Sequence, residues 1–297
     1  MNKKKVISSR DLLFFEARYG NTKWAKKDKQ KIGNLITRMS LLEKNEKSLI
    51  MKLTDNFCYI DTFDFLHALN EAFTKILSSN TESNHIIISP LKSPFHNIET
   101  DKSGRYLASG TKSPDLFYAM FKNTFIPTNY DSNVKFQFCD TPTDIAKSLE
   151  KKSKIILIDD FIGSGNTAVD NIVSYLSYLE GEDVNVKPTQ FSILVIAAMN
   201  AGVEYIRTHT GVSCYYNLLQ HKGITEDIKL NTKTNIELMK SIETKVLPNL
   251  NPSYSFGYKK SESLVSIMEK SPNNTFPFYW YSDSKTQLKP IFRRNIL

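Results

Sequence analysis

Ile155-Ile156-Leu157-Ile158-Asp159-Asp160-Phe161-Ile162-Gly163-Ser164-Gly165-Asn166-Thr167-Ala168 decides how this chain is read. Its first four residues are bulky and apolar without polar alternation, the pattern of a parallel strand covered on both faces. Asp159 and Asp160 follow at the carboxyl end of that strand, the edge where open α/β sheets place their ligands. Two adjacent carboxylates there need hydroxyls, a metal or cations to satisfy them. In the next five residues Gly163 and Gly165 allow a sharp turn with exposed amides, and Ser164 and Thr167 add hydroxyl donors. Val169, Ile172, Val173, Leu176 and Leu179 then recur at helical spacing, so a helix is expected from about Asn166. The N-terminal amides and dipole of that helix favour a phosphate in the turn. A ribose 5-phosphate presents the matching chemistry: a phosphate for the turn, and 2′- and 3′-hydroxyls, usually with a divalent ion, for the carboxylates.

The same stretch resembles the phosphoribosyl-pyrophosphate (PRPP) signature of type I phosphoribosyltransferases: four apolar residues, two aspartates, three variable residues, then [ST]-G-x-T. The resemblance implies that Asp159 and Asp160 hold the ribose hydroxyls and a Mg2+ ion, directly or through water, and that Gly163, Ser164, Gly165, Asn166 and Thr167 wrap the 5′-phosphate. The chain departs from the pattern at Gly163, where threonine is common, and at Asn166, where glycine is common; neither change removes the backbone cradle. Two other readings compete. An aspartate-tipped strand with a glycine turn can be a plain surface connection. D-x-F-x-G-S-G-x-T is also similar to the S-adenosylmethionine turn of amino-methylating DNA methyltransferases, whose second motif, N-P-P-Y, is represented here only by Asn251-Pro252-Ser253-Tyr254.

Composition admits these chemistries and limits the setting. Of 297 residues, 40% are hydrophobic and 24% charged, as in an ordinary soluble globule. No apolar run approaches the ~20 residues that span a bilayer, so the expected location is the cytoplasm and no membrane partner is expected. Cys58, Cys139 and Cys214 are far apart among apolar neighbours, which favours free core thiols over disulfides or a zinc site. The net charge of +8 is concentrated: residues 1–52 hold fourteen Lys or Arg against five Asp or Glu, and the rest of the chain is nearly neutral. Such asymmetry fits a nucleic-acid contact as well as it fits a solvated helix face.

Three segments are expected. Residues 1–80 read as a basic helical lobe, with Leu12, Phe15 and Tyr19 on one face, Ile32, Leu35, Ile36 and Met39 on another, and Phe63, Leu66, Leu69, Phe73, Ile76 and Leu77 on a third. The aromatic residues Phe14, Phe15, Trp24, Phe57 and Tyr59 read as its core rather than as base-stacking platforms. Residues 84–230 read as an α/β core, since strand-like runs near 85–88, 134–138, 155–158, 191–197 and 212–216 alternate with helical segments; a mostly parallel sheet flanked by helices follows. After its first strand comes a long polar loop with Lys92, Lys102, Arg105 and Lys112, ending at Pro114 and a stripe of Leu116, Phe117, Met120 and Phe121. By the family resemblance, Ser109-Gly110-Thr111-Lys112-Ser113 is the pyrophosphate element, Lys112 its leaving-group cation and Ser113 part of the substrate site.

Residues 231–297 complete or cap the core, as a helix and an aromatic, proline-rich tail. Ser255-Phe256-Gly257-Tyr258, the apolar run 264–268, Asn273-Asn274-Thr275-Phe276-Pro277-Phe278-Tyr279-Trp280 and Lys289-Pro290-Ile291-Phe292-Arg293 resemble the end of the phosphoribosyltransferase-like domain of bacterial conflict systems, PRTase-CE. This resemblance implies a sheet of phosphoribosyltransferase type and a pentosyltransferase acting on PRPP or a related ribose-phosphate. It also implies a role as effector in a retron-type anti-phage system, with a nucleic acid or a reverse transcriptase as partner through residues 1–52. A catalytically silent sensor of the same ligands is the alternative, and a tail of this kind could equally be a lid or a homo-oligomer contact.

Overall fold

A computed structural model describes residues 9–79, 83–93, 113–125, 134–227, 231–282 and 288–294. Helices α1 (Ser9–Tyr19), α2 (Lys23–Lys27), α3 (Gln30–Met39) and α4 (Lys44–Asp55) open the chain, followed by β1 (Cys58–Ile60) and α5 (Thr62–Ser79). Next come β2 (His85–Pro90), α6 (Ser113–Met120) with one π-helical turn after it, β3 (Lys135–Phe138), α7 (Pro142–Ser148), β4 (Lys154–Ile158), β5 (Phe161–Ile162) and α8 (Asn166–Gly181). The chain ends with β6 (Phe191–Met199), α9 (Asn200–Thr210), β7 (Ser213–Gln220), α10 (Thr232–Val246), β8 (Val265–Ile267) and the single turn α11 (Pro277–Trp280). Two compact units result: residues 66–219, and residues 1–65 together with 220–296.

The 66–219 unit is built on a six-stranded sheet in the order β3-β2-β4-β6, with β5 and β7 also pairing to β6. The pairs β2–β3, β2–β4, β4–β6 and β5–β6 are all parallel. β2 and the last four residues of β4 are buried throughout, as is all of β6, which is why these strands are apolar runs without alternation. Ile87, Ile155, Leu157, Ile193 and Val195 form one face with Ala168, Ile172, Tyr175 and Leu179 of α8 and Ile206 of α9. On strand residues of the opposite parity, Phe136 packs against Phe73 of α5, which meets Phe121 edge to face at 5.1 Å. The expected α/β architecture is therefore present, a mostly parallel sheet with helices on both faces.

The other unit joins the N-terminal helices to the tail. Although residues 1–80 read as helical, β1 is a strand and pairs in parallel with β8, Cys58 opposite Val265 and Ile60 opposite Ile267. Three residues give no detectable period, and the partner lies some two hundred positions away. Trp24, Ile32, Leu35 and Met39 share a core with Met239 and Ile242 of α10 and with Phe276, Phe278, Tyr279 and Phe292 of the tail. The tail thus supplies core aromatics to this unit.

Arg38 is its buried polar centre: the guanidinium donates to the carbonyls of Lys289 at 3.0 Å, Phe278 at 2.9 Å and Tyr281. Burial pulls its pKa down to about 9, so it is still protonated at neutral pH.

Single side chains differ from the periodic reading. Leu69, Phe73 and Ile76 of α5 are buried as expected, but Phe63, 86% exposed, Leu66 and, in α1, Leu12 are not, and α5 buries Phe65, Ala68 and Ala72 in addition. Phe14 and Leu116 are likewise exposed, whereas Phe15, Trp24, Tyr59, Phe117 and Phe121 are buried as expected. The three cysteines are free, and among the described residues no helix is long and apolar enough to cross a membrane.

Candidate functional site

The 155–168 stretch forms a single track along β6. Ile155 faces Phe191, Ile158 faces Leu194, and Phe161 faces Ala197, so the offset is the same on either side of the two aspartates. β4 and β5 are one strand interrupted at Asp159 and Asp160. At the interruption Asp159 N–H donates to the Leu194 carbonyl at 3.1 Å, and the Asp160 carbonyl accepts from both Ile196 N–H, at 3.2 Å, and Ala197 N–H, at 3.3 Å. The Asp160 carbonyl is thus shared between two successive amides, and the ladder is locally distorted without a change of register.

Both aspartates are half-buried, but their environments differ. Asp159 Oδ1 accepts the Asp160 N–H at 2.8 Å, which fixes that carboxylate. The Asp160 carboxylate has no hydrogen-bond or ion-pair partner among the described residues. A charge left in this way at a strand end is available to a ligand.

Beyond β5 the chain turns through Gly163, Ser164 and Gly165 into α8. Gly165 is the N-cap, with φ +81° and no side chain to cap the first-turn amides. Only glycine adopts that conformation readily. The space is equally restrictive, since a Cβ at Gly165 would lie 2.6 Å from the Gly202 carbonyl oxygen. Gly202, in the first turn of α9, is locked in return: its Cβ would lie 2.1 Å from the Gly163 carbonyl oxygen. Two glycines on different helices thus clamp the turn. Ser164 and Asn166 are half-buried and Thr167 is exposed, so the polar groups of the turn remain reachable from solvent.

The loop leaving β2 closes the other side. Leu91 N–H donates to the carbonyl of Ile158, the residue before the aspartates, at 2.9 Å. Asn171 Nδ2 of α8 donates to the Leu91 carbonyl at 3.4 Å, and Tyr175 Oη donates to the Pro90 carbonyl at 3.2 Å. Burial pushes the Tyr175 phenol up to about 12, so it remains a neutral donor. Lys92 pairs with Asp115 in the first turn of α6 at 2.7 Å.

The structure therefore brings Asp159, Asp160, Gly163, Ser164, Gly165, Asn166 and Thr167 together at one sheet edge. Ser113 is the first residue of α6. Lys102, Arg105, Lys112 and Ser109-Gly110-Thr111 lie outside the described residues. Gly202, Asn171 and Tyr175 had no signal in the sequence, beyond Gly202 lying three residues after the end of a buried strand. Asn251 caps a short 3-10 turn, Pro252–Tyr254, which belongs to the other unit and follows no strand of this sheet, so the second motif of a methyltransferase is not built here.

Among solved structures, the chain is similar to an APRTase from Giardia lamblia complexed with 9-deazaadenine, at 12% identity and a TM-score of 0.31, over 54% of this chain and 86% of that one. A hypothetical protein from Neisseria gonorrhoeae with bound ppGpp is similar at 10% identity and a TM-score of 0.28, over 62% of this chain and 97% of that one. No curated protein matches. The family model PRTase-CE matches residues 41–294, which takes in the whole α/β sheet and most of the helix-and-tail unit. The chain belongs to the PRTase-CE family.

Proposed function

We propose that the chain is a phosphoribosyltransferase-like enzyme that binds PRPP or a related ribose-phosphate at the 159–167 site. The observation that carries this reading is the interrupted β4–β5 track, which delivers a carboxylate with no partner among the described residues and, three residues later, a glycine-clamped turn at a helix N-terminus without a side-chain cap. First-turn amides of α8, with the Ser164 and Thr167 hydroxyls, would anchor the 5′-phosphate. Asp160 would accept from the ribose hydroxyls, with Asp159 beside it held by its neighbour's amide. Displacement of pyrophosphate at the anomeric carbon then builds positive charge on the sugar, which the two carboxylates stabilise from the ribose side. Lys112 is proposed as the cation facing the leaving group.

The donor set fits Mg2+ carried by the substrate. Among the described residues no three His, Cys, Asp or Glu form a metal cage, whereas Mg2+ ordinarily takes one or two carboxylates plus substrate phosphates. When bound, the ion would offset charge on the pyrophosphate. A role as effector in a retron-type anti-phage system, restrained by a nucleic acid or reverse-transcriptase partner, rests on the family resemblance alone and belongs to the same proposal.

Calorimetric titration with PRPP, with and without magnesium, tests the site. Wild type is expected to bind PRPP in a magnesium-dependent manner. Charge-assisted hydrogen bonds contribute ~1.5–3 kcal/mol each, so Asp159→Asn with Asp160→Asn should weaken binding by at least about 100-fold. The melting temperature should hold, because both side chains stand at a half-exposed strand end. A double variant that fails to fold would make the pair structural and end the site assignment. Magnesium-dependent binding without pyrophosphate release in the presence of candidate acceptors would favour the silent sensor.

A further inference from the structure

Between Tyr254 and Arg294 the helix-and-tail unit carries a strip of rings and cations that its core does not use. The Arg294 guanidinium lies 4.9 Å from the centroids of both Tyr254 and Trp280, whose rings meet edge to face at 5.6 Å. Tyr258 extends the strip, its ring 6.3 Å from that of Tyr254, and Lys259 Nζ stands 5.8 Å from the Tyr258 centroid. Trp280 is buried and donates its indole N–H to the Thr275 carbonyl at 2.7 Å, so it is a foundation. Tyr254, Tyr258 and Arg294 are half-exposed, and Lys259 and Lys260 are exposed. Residues 251–261 and 289–294 contain no Asp or Glu. Among the described residues neither lysine nor Arg294 takes part in an ion pair.

The backbone of this loop is strained. Phe256, Lys259, Lys260 and Glu262 have φ of 60°, 56°, 54° and 52°, a left-handed conformation that glycine or asparagine adopts far more readily. The surroundings impose it. Tyr258 N–H donates to the Asn273 carbonyl at 2.8 Å, Lys260 N–H to the Gly257 carbonyl at 2.8 Å, and Glu262 N–H to the Phe256 carbonyl at 2.8 Å. Asn274 Nδ2 donates to Ser261 Oγ at 2.7 Å, and at Gly257 a Cβ would lie 2.0 Å from the Asn274 carbonyl oxygen. Two consecutive lysines thus occupy positions where less costly residues would serve the fold better. Phe256 and Glu262 are buried, so packing sets the loop, and Lys259 and Lys260 are the strained residues of this loop that face solvent.

We infer that this strip is a surface for single-stranded nucleic acid. Tyr254 and Tyr258 offer ring faces for bases, and Lys259, Lys260 and Arg294 offer cations for the phosphates between them. An acidic protein segment would use the cations but not the rings. The basic N-terminal segment fits this partner less well, because Arg38 and Lys31 are buried, Lys31 on Glu269, and Arg18 and Lys23 are paired with Asp55 and Asp64. The inference does not depend on the ribose-phosphate site.

Fluorescence anisotropy of the full chain with a labelled oligothymidylate, repeated across a salt series, tests it. Lys259→Asn with Lys260→Asn relieves the backbone, so the melting temperature should stay or rise while affinity falls about tenfold. The slope of log K against log salt should flatten by about 1.4, ~0.7 for each lost single-strand phosphate contact. Tyr254→Ala with Tyr258→Ala should weaken binding by about tenfold or more. Charge reversal at Lys26, Lys27 and Lys29, and the Asp159→Asn, Asp160→Asn pair, should leave affinity unchanged. The inference is overturned if wild type does not bind, if affinity follows Lys26, Lys27 and Lys29 instead, or if polyglutamate displaces oligothymidylate as well as unlabelled oligothymidylate does.

Discussion

Arg38→Met should destabilise the helix-and-tail unit by ~3–5 kcal/mol, because three backbone carbonyls lose the donor they share. Methionine fills most of the volume, so the loss comes from hydrogen bonding rather than from a cavity. The buried carbonyl of Phe278 and the part-buried carbonyls of Tyr281 and Lys289 would lose the guanidinium as donor, at ~1–3 kcal/mol for a fully buried group and less for the other two. Two of the three close the end of α11, so the tail loses the cap that holds its aromatic residues in the core. Arg38→Lys should recover only part of the loss, because one ammonium cannot span three separate acceptors as a planar guanidinium does. Urea unfolding followed by tryptophan fluorescence gives a direct reading, since both tryptophans, Trp24 and Trp280, are buried in this unit. A midpoint shift equivalent to less than about 0.5 kcal/mol, the range of ordinary surface changes, would show that Arg38 is replaceable.

Gly202→Ala should be the most damaging single methyl at the candidate site, although Gly202 lies in neither the aspartate pair nor the phosphate turn. Its Cβ would sit 2.1 Å from the Gly163 carbonyl oxygen, 3.0 Å from the Gly163 carbonyl carbon and 3.1 Å from Ile162 Cγ2, so α9 or the turn has to move. Overpacking of this kind costs ~1–3 kcal/mol. The effect on ligand should be larger in proportion, because misplacing a positioned group by about 1 Å can cost ~100-fold. Gly181→Ala, at the end of α8 with nothing within 4 Å of the added methyl, is the matched control and should be neutral in both respects. Thermal unfolding and PRPP calorimetry on the two variants separate stability from binding. If Gly202→Ala binds PRPP as wild type does, the glycine clamp does not shape the site.

The two variants probe different physical causes in different units. Arg38 acts by satisfying main-chain acceptors that no apolar residue can satisfy. Gly202 acts by having no side chain where two backbones meet. Neither role shows as periodicity or motif, and the sequence treats one as an ordinary surface cation and the other as an ordinary helix residue.

What could be read from the chain alone was local and periodic. Doubly covered strands are apolar at most positions, so 85–88, 155–158 and 191–197 announced the sheet despite His85 and Ser192, and Asp159, Asp160, Gly163 and Gly165 announced a polar edge with a turn because they lie within seven residues. The tertiary structure decided whatever depends on residues distant in sequence. It paired Cys58–Ile60 with Val265–Ile267, exposed Phe63 while burying Phe65, and drew the tail into a core with the N-terminal helices. It also set Gly202 against Gly163, left Asp160 without a partner among the described residues, and placed Arg18, Lys23, Lys31 and Arg38 in internal contacts. Backbone contact and ion pairing are properties of distance in space, and a composition or a period carries no measure of that distance.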